Sequence, residues 1–97
     1  MRHEIVLAPE AVEDFKRLDA HRRALVRAAI EKHLRHEPVK VGRSRIKRLR
    51  GIRHPGCRLR VEEVRVFYDV TGSVVEILAI VPKTRASEWL AESAEAE

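Results

Sequence analysis

Three arginines, Arg58, Arg60 and Arg65, stand at spacings that place them on one surface if residues 57–68 fold as a β-hairpin. Arg58 and Arg60 alternate with Cys57, Leu59 and Val61, and Arg65 alternates with Val64, Val66 and Tyr68. Alternation of period two sends successive side chains to opposite faces of a strand. A two-residue connection at Glu62-Glu63 sets Val61 against Val64 and Arg60 against Arg65. Like charges directly opposite on a sheet are unfavourable by themselves, so the pattern anticipates an anion held between them. Guanidinium groups suit that task, because they grip oxyanions bidentately and keep their charge at any cellular pH.

The surrounding elements must build and hold that hairpin. His3 to Leu7 reads as a short strand. Ala8-Pro9-Glu10 opens a helix, with proline tolerated in the first turn, and Ala8, Val12, Phe15 and Leu18 follow at helical spacing. Asp19 is a natural N-cap for a second helix. In that helix Val26, Ile30 and Leu34 recur every fourth residue, joined by Leu25 and Ala29. It stops at Glu37-Pro38, since the residue before proline is pushed out of the α region. The two helices are expected to form an antiparallel hairpin with one apolar face. Residues 39–56 read as a loop around a short strand near Ile46 to Leu49. Strands then follow at Cys57–Glu62, Val64–Val70 and Val74–Val81, with Thr71-Gly72-Ser73 as a turn in which Gly72 takes positive φ. Pro82 ends the last strand, Thr84 caps a short terminal helix through Leu90, and residues 91–97 are expected to fray.

This order predicts a single α+β domain over residues 1–97, a helical hairpin packed on a small antiparallel sheet with a short C-terminal helix. The face under the helices is expected to take Leu59, Val61, Val66, Tyr68, Ile77 and Ala79. The other face then carries Arg58, Arg60, Arg65, Phe67, Glu76, Leu78 and Ile80, basic at one end and apolar at the other. Such a face suits two partners, one polyanionic and one a protein segment laid over the apolar end.

Composition agrees. The chain has 97 residues, a 44% hydrophobic fraction that argues against disorder, and a net charge of +5. Half of the basic residues, ten of twenty, fall between Lys40 and Arg65, opposed there only by Glu62 and Glu63. A clustered positive charge is the footprint of a polyanion-binding surface. The lone Cys57 excludes an internal disulfide and reads as a buried structural thiol. The start of the chain runs straight into a strand and no apolar run is long enough for a membrane, so a cytoplasmic protein with no membrane partner is expected. The five histidines show no ligand constellation, and no metal or cofactor is expected.

The ordered set Arg48-Leu49-Arg50-Gly51, Cys57-Arg-Leu-Arg-Val, Val64-Arg-Val-Phe-Tyr-Asp-Val, Thr71-Gly-Ser and Val75-Glu-Ile-Leu-Ala-Ile-Val, after a helical hairpin, resembles the RelE/ParE superfamily of bacterial type II toxins over residues 3–90. The resemblance is to RelE-like members, which are ribosome-dependent endoribonucleases. They activate a ribose 2′-hydroxyl, stabilise the charged phosphorane and leave a 2′,3′-cyclic phosphate. It implies catalytic roles for Arg65 on the scissile phosphate, for Arg58 and Arg60 beside it, and for Lys83 or Arg85 as the cation after the last strand. Arginine donors fit such a reaction, because charge builds on the non-bridging oxygens as phosphorus is attacked. Lys47, Arg48, Arg50 and Arg53 are expected to bind RNA, and Phe67, Leu78 and Ile80 to lie under an antitoxin. The implied partners are a cognate antitoxin, the ribosome with its messenger RNA, and operator DNA through the antitoxin complex only.

The tail Lys83-Thr-Arg-Ala-Ser-Glu-Trp-Leu departs from the RelE pattern, which often carries a base-stacking tyrosine there. Trp89 stands open either as a stacking residue or as packing against the sheet. His54, Glu62 and Glu63 are open as proton carriers, with surface or turn roles the plainer reading of each. The rival function is that of a ParE-like toxin, which poisons DNA gyrase without cutting RNA. A third reading leaves a weakened toxin kept for autoregulation. In a bland reading, Arg58 pairs with Glu76 and Arg60 with Glu62 or Asp69, giving a solvated ionic lattice.

Overall fold

Local chemistry sets the helices. The computed structural model describes residues 2–42 and 45–96; Arg43, one of the ten clustered basic residues, lies outside them. After strand β1 (Glu4–Leu7), helix α1 (Pro9–Arg17) begins with Pro9 in its first turn, where a missing N–H costs nothing. Helix α2 (Ala20–Ala29) is capped by Asp19, whose side chain accepts the Arg22 N–H at 2.8 Å. That satisfies one of the orphan donors at the helix start and contributes about 1 kcal/mol. The helix continues as a π-helical turn, Ile30–Leu34, and stops there, short of the expected Glu37-Pro38. Pro38 is buried, and its carbonyl accepts the Tyr68 hydroxyl at 2.6 Å.

The remaining strands are β2 (Ile46–Arg48), β3 (Ile52–His54), β4 (Cys57–Val61), β5 (Val64–Thr71) and β6 (Val74–Pro82). β2, β4, β5 and β6 join β1 in one five-stranded sheet in the order β1-β6-β5-β4-β2, which leaves β3 out. It is antiparallel apart from β1, which runs parallel to β6. The α+β architecture expected from the sequence is therefore present. Val26, Ile30 and Leu34 meet Leu59, Val61, Val66, Tyr68 and Ile77 in the main core, as their four-residue spacing predicts. Each fully buried aliphatic side chain there contributes about 1.5–3 kcal/mol.

One irregularity changes which residues face the helices. Phe67 opposes Ala79 while Tyr68 opposes Ile77, so Leu78 is an extra residue in β6. An added residue reverses the alternation beyond it. Ala79 consequently joins Phe67 and Val81 on the far face, and Ile80 joins the main core. The expected placement of Ala79 under the helices, and of Ile80 on the open face, is corrected by this bulge. Beside it, the Ile80 N–H donates to Asp14 Oδ2 at 2.9 Å, and Asp14 is buried.

The C-terminal segment also differs from expectation. A 3-10 turn, Lys83–Arg85, precedes helix α3 (Ala86–Ser93), which has no side-chain cap, so Thr84 does not cap it. Ala86, Trp89 and Leu90 pack with Leu49 on Phe67, Ala79 and Val81 as a second small core. Trp89 stacks on Phe67 with ring centroids 4.9 Å apart and planes 14° apart, and its indole N–H donates to Glu10 at 3.2 Å. Residues 91–97 were expected to fray. Instead α3 extends to Ser93, and Glu95–Ala96 (β7) pairs with β3. No helix among the described residues is long and apolar enough to cross a membrane.

Candidate functional site

The β4–β5 hairpin turns through Glu62-Glu63, and the pairs Val61 with Val64 and Arg60 with Arg65 fall as the two-residue turn predicts. Glu62 supplies the positive φ, 52°, that such a tight turn on right-twisted strands requires. Arg58 opposes Phe67 on β5 and Lys47 on β2. Cross-strand partners share a face, so Lys47, Arg58, Arg60 and Arg65 form one cationic patch, opposite α1 and α2 and on the face that α3 covers at Phe67.

Arg65 is only 8% exposed, and its Nη1 donates to the Glu62 and Val64 carbonyls at 2.7 and 3.1 Å. Those contacts fold the guanidinium over the turn and fix its position. Burial lowers its pKa, Arg60 lowers it further, and Glu63 opposes the shift. Arg58 is lowered in the same way, first by burial and then by Arg65 and Arg60. Its Nε is buried without a hydrogen-bond partner. A donor left that way costs about 1–3 kcal/mol, and an incoming oxyanion would relieve it. Among the described residues no carboxylate makes an ion pair with Arg58, Arg60 or Arg65, so the ionic-lattice reading through Glu76, Glu62 and Asp69 is corrected. Asp69 is occupied elsewhere. Its Oδ1 accepts the Gly56 N–H at 2.6 Å and its Oδ2 contacts His54 Nδ1 at 3.0 Å.

The other sequence-derived candidates separate. The Lys83 N–H donates to the Glu63 carbonyl at 2.7 Å, which sets this lysine beside the hairpin turn and near Arg65. Arg85 instead pairs with Glu88 at 3.5 Å. It lines a groove of about 540 Å³ between α1 and α3 that none of the three arginines reaches. Arg48 opposes Cys57 and so lies on the face away from Lys47. Arg50 is exposed in the turn after β2, and Arg53 pairs with Glu95 at 3.8 Å.

Phe67, Leu78 and Ile80 do not make the open apolar face expected for an antitoxin. Phe67 is fully buried beneath Trp89, Ile80 faces the helices at 3% exposure, and Leu78 alone is partly exposed. The bulge and α3 are the physical reasons. The packing alternative for Trp89 is the one found. Sequence reading missed the pairing of His54 with Asp69, fifteen residues apart and joined by no motif. It also missed buried Asp14, whose signal was its spacing from Ala11 and Leu18 along the apolar side of α1.

Helices α1 and α2 on one face of a mixed sheet, with α3 beside an arginine patch on the other that has no carboxylate partner among the described residues, define a small α+β protein with a cationic surface. The family model of the ParE toxin of type II toxin–antitoxin systems, parDE, matches residues 5–86, and the chain belongs to that family within the RelE/ParE superfamily. No curated protein matches it in sequence. A mutant E. coli RelE toxin in the free state superposes with a TM-score of 0.71 at 21% identity, covering 96% of this chain and 95% of that one. The archaeal RelE–RelB complex from Pyrococcus horikoshii OT3 gives a TM-score of 0.70 at 23% identity, covering 88% and 99%. The YoeB–YefM complex from Staphylococcus aureus gives 0.61 at 19%, covering 82% and 95%. These likenesses establish the fold.

Proposed function

We propose that this toxin is a messenger RNA endoribonuclease that acts in the cytoplasm on the translating ribosome and is neutralised by a cognate antitoxin. The observation that carries the reading is the patch of Arg58, Arg60 and Arg65, without carboxylate partners among the described residues and with a buried, unpartnered Nε on Arg58. Like-charged groups held together against their repulsion suit a ligand whose negative charge grows during reaction. In the proposed step the ribose 2′-oxygen attacks the adjacent phosphorus and the bond to the 5′-oxygen breaks. The products are a 2′,3′-cyclic phosphate and a free 5′-hydroxyl. Arg65, fixed over the turn, holds one non-bridging oxygen; Arg58 and Arg60 take the other, and Lys83 lies close enough to the turn to join them. Lys47 extends the patch toward the neighbouring nucleotides, with Arg48, Arg50 and Arg53 as outlying contacts. An antitoxin partner is supported by the complexes with RelB and YefM in which similar folds occur.

A second reading, inhibition of DNA gyrase, is favoured by the matched family, which is that of ParE. One pair of assays separates them. Purified protein is added to ribosomes programmed with a defined message, and new RNA ends are mapped; in parallel, gyrase supercoiling is measured. Cuts within the decoding-site codon that depend on ribosomes are expected. An intact message with blocked supercoiling would overturn the nuclease reading.

A further inference from the structure

Asp69 and His54 form a titratable pair whose carboxylate shares the arginine face. Asp69 lies two residues beyond Phe67 on β5, and Phe67 opposes Arg58. Two residues of strand advance about 7 Å on the same face, so the Asp69 row is the next one along from Arg58. Asp69 is mostly buried, with 17% of its side chain exposed, whereas the His54 imidazole is 51% exposed. The two carboxylate oxygens do different things. Oδ1 accepts the Gly56 N–H and ties down the turn before β4, a structural task that is complete without His54. Oδ2 holds His54 Nδ1 at 3.0 Å. A carboxylate can only accept, so Nδ1 donates. In the neutral ring that leaves the lone pair on Nε2, which has no protein partner among the described residues. An exposed pair of this kind contributes little to stability, yet it fixes the tautomer and orientation of a base, as a carboxylate does for a catalytic histidine.

Resting on the nuclease reading, we propose that His54 Nε2 removes the ribose 2′-proton in the cleavage step and that Asp69 is its positioning residue. The 2′-O–H bond breaks as the 2′-oxygen bonds to phosphorus, and the proton passes to Nε2. The bond from phosphorus to the 5′-oxygen breaks, and that oxygen takes a proton from solvent. His54 then returns its proton to solvent, so no water is consumed and nothing is oxidised or reduced. The imidazole contacts Asp69 of β5, and Glu95 of β7, itself paired with Arg53, is its register partner; one strand row away stand Glu76, opposite Asp69 on β6, and Arg58 of β4.

The test is single-turnover cleavage on programmed ribosomes across pH, with wild type, His54→Gln, Asp69→Asn and the double variant. Glutamine can still donate to Asp69, and melting temperatures verify that each variant folds. Removal of a general base is expected to slow His54→Gln by about 10²-fold or more, and the acidic limb of the rate profile should vanish. Asp69→Asn should cut about tenfold more slowly in the wild-type background and no more slowly in the His54→Gln background, because it acts through the base. Wild-type cutting with a His54→Gln rate within threefold and an unchanged limb overturns the assignment and leaves the nuclease standing. An equal further loss from Asp69→Asn in the His54→Gln background removes its positioning role. Absence of any wild-type cutting overturns both.

Discussion

Replacing Arg60 by glutamine should stabilise this protein while weakening its function. Arg60 is exposed, faces Arg65 across the hairpin, and shares its face with Arg58 two residues earlier. Among the described residues it makes no ion pair, so the substitution removes repulsion and no salt bridge. The backbone bond from its N–H to the Arg45 carbonyl at 2.8 Å survives any side-chain change. Cross-strand pairs are worth about 0.2–1 kcal/mol, and solvent screening at this exposed site sets the gain near the middle, about 0.5 kcal/mol. For a chain of this size that raises the melting temperature by about 2–4 °C. Function should move the other way. Losing one phosphate contact on single-stranded RNA lowers the slope of log affinity against log salt by about 0.7. Losing one transition-state donor slows cleavage by about 10²-fold. Calorimetry in non-binding buffer, salt-dependent RNA binding and the programmed-ribosome assay together read all three quantities. A lower melting temperature, or an unchanged salt slope, would refute the idea that Arg60 is held there for an anion.

Trp89→Ala removes the ring that covers Phe67 and should destabilise the fold by about 3 kcal/mol, the low end for such a change because the ring is half-buried, read by urea unfolding with circular dichroism; a loss below about 0.5 kcal/mol, the range of inconsequential surface changes, would mean that α3 is not held by this stack. Tyr68→Phe leaves the buried Pro38 carbonyl without its donor and should cost about 1–3 kcal/mol; a variant as stable as wild type would contradict the 2.6 Å bond. Burial pushes the Cys57 thiol upward, against the lowering effect of Arg48. Below that raised value the group is the unreactive thiol, so alkylation at neutral pH should proceed only as fast as the protein opens. Rapid labelling of fully folded protein would show the site to be open.

Regular alternation made the central part of the molecule legible. From Cys57 to Thr71 every residue falls on the face its parity predicts, which is why the Arg60–Arg65 pairing followed from the sequence. Parity failed at Leu78, because a bulge leaves no mark in a run of apolar residues that all satisfy either face. Strand β3 was invisible for a different reason. Three residues, Ile52–His54, are too few for a period to show, and their partner β7 lies at the other end of the chain. The arginines of the candidate site were legible as a set, whereas the separation of Lys83, beside the hairpin turn, from Arg85, paired with Glu88, depended on how the chain leaves β6. His54 and Asp69 meet only because the turn before β4 folds back on β5, a tertiary event without local signature.

The parallel pairing of β1 with β6 constrains how the molecule can assemble. Glu4 meets Val74, and closing a loop of about 70 residues costs about 4 kcal/mol in chain entropy beyond a constant. The hairpin that bears the arginines needs only neighbours in sequence, but its strand β5 has no second partner until β6 exists. A chain emerging from its own ribosome therefore carries the cationic hairpin before it has the sheet to hold it. Contacts so distant in sequence slow folding, and that delay gives an interval in which a newly made toxin lacks a finished site.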